Sequence, residues 1–428
     1  MDTNTARARR IINALKYGVI PDSGLDRLCT GRERETEEFE GCLDMILEGN
    51  GAVKFVSGSY GTGKSFLLYF FSQIAVRRGF LTARAVIGKS FGLNSLDSLY
   101  YHVMHNLLLN GTYSQGTGFE EMFDLWVNKL QSYTDKEKAS KEIQNVIGTL
   151  NSYNSSFARA FLVYIKAKTN KDTELSNAAS SWIKGEKNIP AHLKARFDVK
   201  GDIDRQNSMD ILKAFVKMTE LLGYGGLVIF IDELELLMNL RSDLRKSAYE
   251  NLRYLVDSSG AGEFSNCMFV FAATDEFFED RERGIQTYSA LYQRIGGKPD
   301  NFSASFPDKR RPVMHLAKLN PGDIQALTDK IVTIHREAYQ WAPGISNEAI
   351  RNWTLLEFKK AGEPISPVNT RLFVTKLVEI LDIMEQNPEN KLYCSELRLV
   401  KKNGADMFVN SLLKSDDPGR TGSEEEYK

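Results

Sequence analysis

Eight consecutive residues, Gly58-Ser59-Tyr60-Gly61-Thr62-Gly63-Lys64-Ser65, carry the densest chemical signal in the chain. Their glycines let the backbone turn tightly and aim its amide N–H groups at one small volume. A helix starting at this point adds the partial positive charge of its N-terminus, so the segment suits a polyphosphate. Lys64 can reach the outer phosphates, and Ser65 can offer its hydroxyl to Mg2+, which makes the octet a P-loop. With Phe66, which opens the following helix, Gly58 to Ser65 are the candidate nucleotide-binding residues. Far downstream, Asp232-Glu233 closes an apolar run. Asp232 there can hold the water shell of Mg2+ opposite Ser65, and Glu233 can polarise an attacking water. An exposed acidic helix start is the plainer alternative. Glu235 reads as structural, a weaker competitor for the catalytic role. Thr274-Asp275 ends another apolar run, where a polar group would sit beside the terminal phosphate and position water. The same two residues suit a helix N-cap, and the two roles are compatible.

Arginines complete such sites, often from a neighbouring subunit, by stabilising charge that develops during phosphoryl transfer. Arg294 is the first candidate, followed by Arg281 and Arg283, and each also reads as a solvated helix charge. Arg371 follows Ser366-Pro367, a cap followed by a first-turn proline, and is the candidate lid arginine.

These residues need a scaffold that brings distant segments to one edge. The β-branched run Ala52-Val53-Lys54-Phe55-Val56 precedes the loop, and an amphipathic helix follows it. Leu81–Ile87, Leu227–Ile231, Met268–Ala272 and Pro312–Leu316 read as further strands, separated by helices that include Leu96–Leu109 and Leu244–Val256. Continuous apolar strands alternating with helices predict an α/β fold, a parallel sheet covered on both faces. A helical pattern over residues 5–18 counts Ile11, Ile12, Leu15 and Tyr17 as its apolar members. Residues 112–205 are rich in Ser, Asn, Lys and Thr, with Phe157, Phe161, Leu162, Ile165 and Trp182 at helical spacing. From Asn320-Pro321 onward the pattern is helical only: Ile324–Tyr339, Asn347–Lys360 and Pro367–Glu385. The expected organisation is a helical segment with a Gly31-Arg32-Glu33 box (1–50), a P-loop core (51–318) with a helical insertion at about 112–205, an all-α lid (319–390), and a terminal segment (391–428) whose tail from Ser415 is acidic and disordered.

Composition excludes several classes. Net charge is −1, so no global field announces nucleic acid or an anionic membrane. Lys309-Arg310-Arg311 and Lys401-Lys402 are short basic clusters that read first as solvated turns. The four cysteines (Cys29, Cys42, Cys267, Cys394) lie far apart and read as free thiols of a reducing cytoplasm. No stretch approaches the roughly eighteen uncharged apolar residues of a membrane span, and the start of the chain has no leader-like apolar region, so a cytoplasmic protein is expected. Among the five histidines only His102 and His105 are spaced for a shared metal, without an acidic partner.

Taken together, the chain resembles the AAA+ (ASCE) class of P-loop ATPases. More narrowly, it resembles the BrxC/BrxD-type ATP-binding family of bacterial BREX phage-defence systems, closest to the BrxD type. The strings that carry this are Ala8-Arg9-Arg10-Ile11-Ile12-Asn13-Ala14-Leu15-Lys16-Tyr17-Gly18-Val19-Ile20-Pro21, Gly31-Arg32-Glu33, the P-loop, Gly223-Tyr224-Gly225-Gly226-Leu227 and Ala273-Thr274-Asp275-Glu276-Phe277-Phe278-Glu279-Asp280. The resemblance implies ATP and Mg2+ as ligands, with Gly31 and Arg32 on the adenine side. It implies an ATPase that works at the interfaces of a homo-oligomer to assemble or remodel a DNA-associated defence complex. Helicase, methyltransferase or other defence-system partners and double-stranded DNA would accompany it, and no membrane. The alternative is an ATP-dependent switch or adaptor that hydrolyses little and recruits such a partner. A small-molecule kinase fits less well. Too few residues follow the third lid helix for the winged-helix domain of related ATPases, so DNA binding by that route is not expected.

Overall fold

The computed structural model describes residues 3–109, 118–199, 201–296, 308–360, 362 and 368–387. The chain divides into two compact units, a larger one of residues 33–60 and 64–317 and a smaller one of residues 1–32, 61–63 and those from 318 onward. The smaller unit opens with helix α1 (Thr3–Lys16), whose Ala8, Ile11, Ile12 and Leu15 are buried. It ends one residue before Tyr17, which is 74% exposed rather than an apolar member of the helix. The turn is made by Gly18 at φ +63, which a side chain would strain.

The larger unit is a covered sheet. Its elements are α2 (Glu33–Leu47), β1 (Gly51–Ser57), α3 (Lys64–Arg77), β2 (Leu81–Val86), α4 (Leu96–His105), β3 (Leu107–Leu108), then α5 (Gly118–Gln131), α6 (Lys136–Tyr153), α7 (Ser155–Thr169), α8 (Thr173–Ile183) and α9 (Ala191–Arg196). They continue with α10 (Ser208–Leu221), β4 (Leu227–Asp232), α11 (Ser242–Gly260), β5 (Cys267–Ala273), α12 (Asp275–Glu279), α13 (Ser289–Ile295) and β6 (Val313–His315). The strand order is β3-β2-β4-β5-β1-β6, parallel except for the β2–β3 pair. Every residue of β5, and Leu227 to Ile231 of β4, is buried, as a sheet covered on both faces requires. β1 and β4 are not neighbours: β5 lies between them. Ser57 pairs with Ala273 and His315, and Ile231 with Phe271, so the C-terminal ends of these four strands emerge along one edge.

One element differs from the sequence reading. The helix expected over Leu96–Leu109 stops at His105, and Leu107–Leu108 pair antiparallel with β2. Leu107, Leu108 and Leu109 are all buried; three consecutive leucines on a helix would turn at least one to solvent, whereas an extended edge segment keeps all three covered.

Between 118 and 199 the chain is helical throughout, as expected, around Phe119, Phe123, Trp126, Phe157, Phe161 and Trp182, all buried. Asp135, Asn154 and Asp172 cap α6, α7 and α8 by accepting backbone N–H groups.

In the smaller unit α1 packs on α14 (Pro321–Tyr339) and α16 (Thr370–Gln386), with α15 (Asn347–Lys360) beside them. Asn320 and Asp323 form a reciprocal capping box with Pro321 in the first turn of α14. The cap of α16 is Asn369, whose side chain accepts from the Leu372 amide. Ser366 and Pro367, expected to start that helix, lie outside the described residues, as do Cys394, Lys401-Lys402 and the acidic tail. No helix among the described residues is long and apolar enough to cross a membrane.

Candidate functional site

In the larger unit Gly58 to Tyr60 follow β1, which ends at Ser57, and Lys64 is the first residue of α3. Lys64 is buried, and its Nζ donates to the carbonyls of Gly58 (2.7 Å) and Ser59 (3.2 Å). Burial pulls its pKa down from the ordinary lysine value, against the opposing pull of Glu235, Asp232 and Asp275. Ser65 and Phe66 follow, half-buried in the first turn of α3, while Tyr60 projects into solvent.

The acids come from the end of β4. Asp232 is its last residue, and its Oδ1 accepts from the Glu233 amide at 2.8 Å. Glu233 is exposed and sits at φ 59, in the left-handed region, where it leads into a 3-10 turn over Leu234–Asn239. Inside that turn, Glu235 is partly buried and its Oε2 accepts from the Thr274 amide at 3.2 Å. Burial raises the Glu235 carboxyl above the usual range, and Lys64 opposes that shift.

Thr274 follows β5 and occupies the N-cap position of α12, yet its side chain makes no cap bond. The Phe277 amide bonds the Thr274 carbonyl instead. The Thr274 hydroxyl oxygen is shut from solvent and has no hydrogen-bond partner among the described residues. Asp275 stands 3.5 Å from His315 Nδ1, which also lies 3.1 Å from Ser57 Oγ.

The arginines are placed differently. The Arg294 guanidinium is held by Asp257 of α11 and donates to the Ala290 carbonyl, on the larger unit's own surface. Arg281 and Arg283 are exposed on a turn whose Glu282 and Arg283 amides are both fixed by Asp280 Oδ1.

In the smaller unit Arg32 is buried and its Nη2 donates to the Thr62 carbonyl at 2.9 Å. The carbonyl and N–H of one trans peptide point in opposite directions. Holding the Thr62 carbonyl therefore turns the Gly63 N–H away from Arg32. Gly61 and Gly63 have φ +81 and +95, and a side chain on Gly61 would meet Asn369 at 3.1 Å. Gly31, at φ +63, lies so close to Asp323 of the capping box that an added Cβ would come within 2.4 Å. Arg371 is exposed, with its stem beside Gly18.

The larger unit thus brings Lys64, Ser65, Asp232, Glu233 and Thr274 to one sheet edge. Within this unit the backbone at Gly58, a buried lysine and strand-end acids are suited to holding a magnesium-bound polyphosphate. The Ser65 hydroxyl and Asp232 carboxylate are hard oxygen donors, and Mg2+ is commonly bound by one or two such groups together with waters and phosphates. Sequence reasoning read Glu235 as structural without a partner for it, and did not find the Ser57–His315–Asp275 cluster. An acid two residues past Glu233 carries a weak signal, because only the 3-10 turn decides where it points. The three-residue β6 gives no periodicity that would show His315 reaching two other strand ends.

A family model described as "BREX system ATP-binding protein BrxC/D" matches residues 3–395. A comparison with curated proteins finds no match.

Proposed function

The chain belongs to the BREX system ATP-binding family, and from that premise we propose that it hydrolyses ATP and uses the cycle to assemble or remodel a DNA-associated phage-defence complex. The observation that carries this reading is Lys64, buried beside the glycine-rich turn and under the influence of Asp232, Asp275 and Glu235. A buried lysine that already donates to loop carbonyls can exchange them for phosphate oxygens, and Mg2+ would offset the repulsion between the phosphates and the nearby acids. On binding ATP, Lys64 exchanges the loop carbonyls for outer phosphate oxygens, and the residues from Gly58 to Phe66 cradle the chain of phosphates. Ser65 and Asp232 would hold Mg2+, which neutralises charge on the phosphates. Glu233 takes a proton from a water that attacks the terminal phosphorus, and the bond to ADP breaks as the new P–O bond forms. Thr274 orients that water. Gly31 and Arg32 serve the adenine side, Arg371 acts as the lid arginine, and Arg294 leaves Asp257 to serve a neighbouring copy. Homo-oligomers, helicase or methyltransferase partners and double-stranded DNA belong to this proposal.

One observation favours a second reading, a nucleotide switch with little turnover. The Glu233 carboxylate is exposed and makes no hydrogen bond or ion pair among the described residues, so nothing yet aims it at a water. The test is direct. Lys64→Ala should abolish retention of a fluorescent ATP analogue. Glu233→Gln should keep binding and lower turnover by roughly 100-fold or more. Tight binding by the unmodified protein with negligible turnover, at all concentrations and with or without duplex DNA, would leave only the switch.

A further inference from the structure

Glu235 occupies a place that its distance from the strand end does not explain. It lies in the 3-10 turn after β4, yet its carboxylate reaches the neighbouring strand end and accepts the Thr274 amide at 3.2 Å. That bond ties together the two strand ends that carry Asp232-Glu233 and Thr274. Thr274 itself departs from an ordinary cap. An N-cap threonine ordinarily uses its hydroxyl on the first helical turn. Here the backbone carbonyl takes the Phe277 amide, and the hydroxyl is buried without a partner. A buried hydroxyl without a partner is costly, and such groups in native proteins usually answer to a ligand, an ion or a water.

We propose that Glu235 is a positioning residue: by accepting the Thr274 amide it fixes the end of β5 so that the Thr274 hydroxyl faces the terminal phosphate, or the water attacking it. This rests on the ATP-hydrolysis reading above. Glu235 touches neither substrate nor reacting atoms; it acts through Thr274.

The experiment compares Glu235→Ala, Glu235→Gln, Thr274→Ala and the double variant Glu235→Ala/Thr274→Ala in steady-state ATP hydrolysis, with thermal melts and binding of a fluorescent ATP analogue alongside. Glu235→Ala should lower kcat by roughly 10- to 100-fold, the scale of a displaced catalytic group, while KM and analogue affinity stay within about threefold. Glu235→Gln should recover most of the lost turnover, because its carboxamide oxygen accepts the same N–H. Adding Glu235→Ala to Thr274→Ala should cost little more, since both act through one hydroxyl. Normal kcat in Glu235→Ala, a Gln variant as inactive as the Ala variant, or additive losses in the double variant would each overturn the proposal. Should Glu235→Ala fail to fold, the decision passes to the other two: Glu235→Gln must keep most turnover and Thr274→Ala must lose it at unchanged KM. If the unmodified protein neither retains nor hydrolyses ATP, the underlying reading fails; if it does both and Glu235→Ala is normal, only the positioning role fails.

Discussion

Glu233, the base of the proposed reaction, also carries a backbone cost. Its φ of 59 places a side chain in the left-handed region, which costs a non-glycine residue about 1–2 kcal/mol. The strain is local: it redirects the chain from the end of β4 into the 3-10 turn, with the Asp232 carboxylate holding the Glu233 amide. Glu233→Gly should therefore raise stability by about 1 kcal/mol, seen as a higher urea midpoint at unchanged slope, while removing turnover. A variant that is less stable would show that the left-handed turn is not strained. The residue types of this edge were readable without coordinates, because a lysine and serine after glycines, and two acids after an apolar run, have few other uses. The direction each side chain takes was not readable. Thr274 suited an N-cap equally well, and only the structure shows that its hydroxyl makes no cap bond.

At the scale of elements, β1 holds a cation that the apolar reading of its run treats as incidental. Lys54 is buried, and its Nζ donates to Glu38 of α2 at 2.7 Å and to the carbonyls of Lys309 and Arg311 at 2.7 and 2.6 Å. One ammonium thus fastens a covering helix and the turn before β6 to the strand that leads into the glycine-rich segment. Burial raises the Glu38 carboxyl, and the hydrogen bond and charge of Lys54 pull it back, so the pair is stable only as a pair. Lys54→Met leaves a buried carboxylate and two carbonyls without their donor, and should cost about 3–5 kcal/mol. Lys54→Met/Glu38→Leu should recover much of that loss in urea melts. A double variant as unstable as the single one would mean that the carbonyls, not the carboxylate, set the cost. This arrangement also explains the basic cluster Lys309-Arg310-Arg311. Two of its carbonyls are acceptors for Lys54, and Lys309 itself pairs with Glu37 at 2.7 Å.

Across the whole molecule, the buried His335 and the partly buried Glu235 respond to pH in opposite senses. In the smaller unit His335 is fully buried, and its Nδ1 lies 2.8 Å from the Trp341 indole nitrogen. Indole can only donate, so Nδ1 carries no proton, and Nε2–H donates to Asp382 Oδ1 at 3.0 Å. Asp382 also takes Lys16 of α1 at 2.7 Å, and Glu385 and Tyr339 stand nearby. Burial holds the imidazole below its ordinary value of 6.5 despite the pull of Asp382. The unfolded chain therefore takes up a proton before the folded one does. Stability of this unit should be constant above about pH 6.5 and fall below it, by up to about 1.4 kcal/mol per pH unit. Glu235, raised in the larger unit, works the other way, because acidification there neutralises a carboxylate that burial disfavours. Urea midpoints measured from pH 7.5 to 5.5 check the first effect, and His335→Gln should remove its share of the slope. An unchanged slope in that variant would locate the dependence elsewhere.

The amino-acid sequence by itself determined the covered parallel sheet, the helical stretch beyond its second strand, the residue types along the sheet edge and the ATP-binding family. Each of these depends on composition and period within a short window, where local physics is enough. Tertiary structure alone decided that β5 lies between β1 and β4, that Leu107–Leu108 forms an edge strand, and that Glu235, rather than Glu233, meets Thr274. Strand order, burial and hydrogen-bond partners depend on contacts between residues far apart in the chain, and no local spacing specifies which of several chemically suitable groups will meet.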